Sequence, residues 1–132
     1  MSAPLDLERV AQDLVARART AGADAADAVA GDSDGLDVGV RLGEVEKLRR
    51  ARERRVGLRV FVGRSTAIVS TGDLSPASLD ELARDAIALA RATAADPHAG
   101  LPESGDLATD VPDLDLYDPA VETIEPPDAL AR

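Results

Sequence analysis

The sequence predicts an α+β fold: an antiparallel sheet of about five strands with two amphipathic helices on one face, then an acidic, proline-rich arm. Three observations carry this. Two segments repeat apolar residues at helical spacing, the stretch between them alternates with period two, and the composition changes abruptly at Asp96.

The first helix begins after Asp6. Leu7, Val10, Ala11, Leu14, Val15 and Ala18 form one stripe, with Glu8, Arg9, Gln12, Asp13 and Arg17 outside it. Asp6 can accept from the free N–H groups of the first turn, and Gly22 supplies a left-handed terminus. Ser75-Pro76 opens the second helix. Its stripe is Leu79, Leu82, Ala83, Ala86, Ile87 and Ala90, and Asp96-Pro97 stops it by about Ala95.

Between the helices, Leu36, Val38, Val40 and Leu42 alternate with polar residues or glycine, as do Val56, Leu58, Val60 and Val62. Asp32-Ser33-Asp34-Gly35 reads as a hairpin turn, which makes the segment from Asp24 to Gly31 the preceding strand. Gly43 turns the chain again. Glu44 to Arg55 is rich in helix formers, but its apolar stripe (Val45, Leu48, Ala51) is thin. Val45 to Ala51 is therefore expected to be a strand, with a further turn in Arg52-Glu53-Arg54-Arg55. Gly63-Arg64 marks a turn before a short last strand, Ala67 to Val69.

Residues 1–95 form the expected domain and 96–132 the arm. The arm holds six of the eight prolines and ten of the 25 acids, with no apolar period, so it reads as a linker or extended segment cut short of a further domain.

Charge and composition narrow the function classes. The formal net charge is −10, but residues 41–64 carry nine bases against three acids, between flanks that are both acidic. Such a chain does not wrap nucleic acid over its whole surface. There is no cysteine and one histidine, His98, so neither a zinc site of the usual kind nor a Ser-His-Asp or Cys-His arrangement is easily built. No apolar run approaches the ~20 residues of a membrane span, and Met1-Ser2-Ala3-Pro4 lacks the pattern of a signal peptide. A cytoplasmic, non-catalytic chain is the expectation.

Candidate sites are few. Arg49, Arg50, Arg52, Arg54 and Arg55 fit either contact with an anionic partner or a solvated edge that deters sheet-to-sheet aggregation. With the turn placed at 52–55, Arg49 and Arg55 would flank it. Asp32, Asp34 and Asp37 fail the calcium-loop pattern at Leu36 and Gly43 and fit a turn better. Asp73 is expected to hold a turn ahead of the second helix, and His98 to be exposed without a metal. No Walker A or G-x-G-x-x-G pattern supports a nucleotide site.

Several strings in order carry a resemblance. They are Ala21-Gly22-Ala23-Asp24-Ala25, Val40-Arg41-Leu42-Gly43-Glu44-Val45-Glu46, Gly57-Leu58-Arg59-Val60-Phe61-Val62-Gly63, Ser70-Thr71-Gly72-Asp73-Leu74-Ser75 and Asp96-Pro97-His98-Ala99-Gly100-Leu101-Pro102. Together they resemble the amino-terminal domain of the TldD/PmbA family of bacterial metalloproteases, also called modulators of DNA gyrase, and the last string is closer to the PmbA (TldE) branch. The resemblance implies a subunit of a cytoplasmic heterodimeric protease, TldD with TldE, acting on peptides or unfolded protein. It also implies zinc held by a downstream His-Glu-x-x-x-His motif in the TldD partner. No position of that motif exists here, so no catalytic, cofactor-binding or metal residue carries over. The implied role is subunit assembly or substrate access, with a TldD-type subunit or a missing carboxy-terminal domain as partner. The alternative is a stand-alone binding module that uses the basic hairpin or an open sheet edge to hold an anionic or extended peptide.

Overall fold

The computed structural model describes residues 6–131. It has an antiparallel sheet with helices, but the sheet contains three strands rather than about five. The strands are β1 (Ala25–Arg41), β2 (Glu44–Val62) and β3 (Ser65–Thr71), in the order β1-β2-β3.

The difference in count has one cause. Both turns expected at 32–35 and 52–55 are interior strand, so four expected short strands merge into two long ones. The two stretches lie opposite each other and are complementary in charge. Arg54 Nε meets Asp32 Oδ2 at 2.9 Å, and Ser33 Oγ donates to the carbonyl of Glu53 at 3.4 Å. Cross-strand pairs of opposite charge favour continued pairing, and this outweighs the local turn preference of Asp-Gly. Glu44 to Ala51, where intrinsic preference favours helix, is likewise strand. The turn at Leu42-Gly43 does form. Its two residues have φ of 53° and 84°, the paired positive values of a type I′ turn.

Two compact units can be distinguished. The first comprises residues 6–33 and 53–102. It contains α1 (Leu7–Ala21), α2 (Pro76–Ala92), β3 and parts of the two long strands. Asp6 caps α1 by accepting from the backbone N–H of Arg9, and Gly22, at φ 113°, ends it. Ser75 caps α2 with Pro76 in the first turn, where its missing N–H leaves no helix bond unmade. The helix ends at Ala92, with Thr93 as its C-cap.

Leu14, Ala18, Val56, Leu58, Val60, Leu79, Ala83, Ala86, Ile87 and Ala90 form the core of this unit. Val56, Leu58 and Val60 of β2 therefore face the helices. Leu58 pairs with Val69 and Val60 with Ala67 on β3. Arg17 ties the helices together, its guanidinium reaching Asp13 at 2.9 Å and Asp80 at 2.5 Å. Hydrogen bonds from Arg17 to Asp13 and then Asp80 raise its pKa above the usual arginine value.

The second unit comprises residues 34–52 and 103–131. It contains the outer hairpin and, in the carboxy-terminal stretch, a 3-10 turn at Ser104–Asp106 and two short helices, α3 (Pro119–Glu122) and α4 (Pro126–Leu130).

Candidate functional site

The arginines singled out from the sequence lie along β2, and none flanks a turn. The expectation that Arg49 and Arg55 bracket a hairpin turn is corrected by the continuous strand. Because successive strand residues point to opposite faces, the cluster divides.

In the second unit, Arg50 shares a face with Asp34, Leu36 and Val38. Together with Val121, Ile124 and Ala129 they line a cavity of about 360 Å³. Arg50 Nε lies 3.5 Å from Asp34 Oδ1, and its Nη1 lies 3.5 Å from Glu125 Oε2. Arg49 is placed with Gly35, Leu36, Asp37 and Ala51 around a depression of about 210 Å³. Lys47 pairs with Asp37. Arg52 also has an interaction partner.

In the first unit, Arg54 pairs with Asp32, while Arg55 reaches Glu53 Oε1 at 3.0 Å and donates to Ser70 Oγ at 3.3 Å. Asp32, Asp34 and Asp37, which fail the calcium-loop pattern, thus sit on a strand opposite basic residues. The place of Asp32 and Asp34 in a turn is corrected with the turn itself, whereas Asp37 lies on a strand as expected.

Asp73 accepts from the backbone N–H of Ser75 at 2.9 Å, and this hydrogen bond holds its pKa below the usual carboxylate range. His98 is exposed, and its backbone N–H donates to Asp96 Oδ1 at 2.8 Å. Among the described residues no group of three or more His, Cys, Asp or Glu side chains could hold a metal ion. His98 is the sole histidine in the sequence, which has no cysteine, so the nitrogen and sulfur ligands that zinc usually takes are scarce.

The sequence reading missed Arg59. It meets Asp27 through two bonds, Nε to Oδ1 at 2.8 Å and Nη2 to Oδ2 at 2.5 Å, and stands 5.4 Å from the centroid of the Phe61 ring. A cation within a period-two run signals a polar face, but not which acid lies opposite.

Residues 26–90 match the family model for PmbA/TldA metallopeptidase domain 1. Over 107 residues the chain is 34% identical to the metalloprotease PmbA of Escherichia coli O157:H7, covering 81% of this chain and 23% of that protein. The chain belongs to the PmbA/TldD family. A metalloprotease PmbA homolog of Haemophilus influenzae is 35% identical over 112 residues, covering 85% of this chain and 25% of that one. The chain thus spans about a quarter of the length of these PmbA/TldD relatives. A crystal structure from Bacteroides thetaiotaomicron, of a protein named as a modulator of DNA gyrase, has the same fold. Its TM-score is 0.85 at 24% identity, covering 94% of this chain and 28% of that one. No helix among the described residues is long and apolar enough to cross a membrane.

Proposed function

We propose that this chain is a non-catalytic part of a PmbA/TldE-like subunit in a zinc metalloprotease assembly, serving subunit association or substrate access. The observation that supports this reading most directly is the match of residues 26–90 to the first domain of a metallopeptidase. A chain with one histidine and no cysteine is poorly equipped to hold catalytic zinc, so the metal is assigned to a TldD-type partner subunit. The assembly would act in the cytoplasm on peptide or unfolded-protein substrates.

The test is co-purification with a TldD-type subunit, alongside peptidase assays of each component and the mixture, with and without added zinc. The expected result is stable association, with metal-dependent cleavage only when the TldD-type subunit is present. Metal-dependent cleavage by this chain alone, or failure of the two to associate, would overturn the reading.

A further inference from the structure

The last β2 residue paired with β3 is Val56, opposite Thr71, yet β2 continues to Glu44. Within the second unit, residues 44–52 have β1 on one side and no strand on the other among the described residues. No backbone hydrogen bond runs from residues 44–52 to a segment outside the hairpin among the described residues. Nine residues of extended chain present ~30 Å of N–H and C=O groups, a ready template for another strand. This run contains no proline to blunt the edge.

Its side chains favour one kind of occupant. Lys47, Arg49, Arg50 and Arg52 lie within six residues that include no acid, and they divide between the two faces of the hairpin, 47 and 49 on one and 50 and 52 on the other. Val45 and Leu48 are about half exposed beside them. The existing pairs, Lys47 with Asp37 and Arg50 with Asp34 and Glu125, are solvent-exposed, so screening keeps them weak and exchangeable. Arg49 has no ion pair among the described residues. Glu125 already brings a carboxylate from an acidic stretch of this same chain to Arg50.

We propose that the outer edge of β2 at residues 44–52 takes an extended acidic polypeptide segment as an added strand. Main-chain hydrogen bonds supply the affinity, and Asp or Glu side chains set against the cations supply the selectivity. This goes beyond the protease reading, since it concerns recognition by this chain itself and requires no TldD-type subunit.

The experiment uses the full chain and a fluorescein-labelled nine-residue peptide of alternating glutamate with valine or threonine, read by fluorescence anisotropy. Three controls accompany it: a lysine-for-glutamate peptide, an acidic peptide N-methylated at alternate amides, and a single-stranded oligonucleotide of equal charge. The acidic peptide is expected to bind, the lysine and N-methylated peptides at least tenfold more weakly, and the oligonucleotide more weakly than the acidic peptide. Replacing Arg49, Arg50 and Arg52 with Ser should weaken binding at least tenfold and flatten its salt dependence. Hydrogen exchange on the unaltered chain keeps the test independent of how that variant folds: amides within 44–52 should slow when peptide is bound. Absence of binding, equal binding of the N-methylated peptide or the oligonucleotide, or protection elsewhere only would overturn the proposal and leave the cations as guards of an edge.

Discussion

Arg59 on β2 grips Asp27 on β1 with both prongs of its guanidinium, at 2.8 and 2.5 Å, while its cationic carbon stands 5.4 Å from the centre of the Phe61 ring. The hydrogen bonds that Arg59 donates to Asp27 raise the arginine pKa. The planar fork matches a carboxylate in a way an ammonium cannot. With side chains 40% and 45% exposed, the pair is discounted for screening. A double-mutant cycle of Arg59→Ala with Asp27→Ala, followed by urea unfolding, should give a coupling of ~0.5–1 kcal/mol. Arg59→Lys should lose more than half of it.

Burial sets a larger effect one position away. Leu58 is fully buried and pairs with Val69, whereas Ile68 on β3 is 70% exposed. Leu58→Ala should destabilise the chain by ~2–4 kcal/mol, through lost transfer energy and the cavity left behind. Ile68→Ala should change stability by less than ~0.5 kcal/mol. Comparable losses in the two urea titrations would contradict the assignment of the sheet's buried face.

At the hairpin tip, Leu42 combines φ 53° with 95% exposure. A left-handed conformation is unfavourable for leucine and much less so for asparagine, and the exposed side chain offers little packing to lose. Leu42→Asn should therefore stabilise the hairpin by ~0.5–1 kcal/mol. The measurement is amide exchange in residues 36–50. Faster exchange in the variant would show that Leu42 contributes more than its backbone strain costs.

Asp73 gives a pH signature. Its pKa is lowered in the folded state by the Ser75 backbone N–H, so its contribution is present above the unfolded-state value and is lost as pH falls through the folded one. Asp73→Asn cannot follow that titration. The gap in Tm between the original chain and the variant should be widest near neutral pH and shrink from about pH 5 downward. A gap that grows with acid would reverse the assigned sign.

Local chemistry by itself determined both long helices. Their caps at Asp6, Gly22 and Ser75 and their apolar stripes operate within a few residues, where sequence spacing and spatial proximity coincide. It also determined which β2 residues from Val56 to Val62 face inward, because side chains alternate in a strand whatever its partner. Tertiary pairing decided the number of strands and the neighbours of each charge. Asp32-Ser33-Asp34-Gly35 carries a turn signal and remains strand because basic residues lie across from its acids. The five arginines were legible as a basic run, but their division between two faces and their individual partners were not. A cross-strand ion pair such as Arg59 with Asp27 joins residues 32 positions apart, and only the register of the ladder brings them within bonding distance.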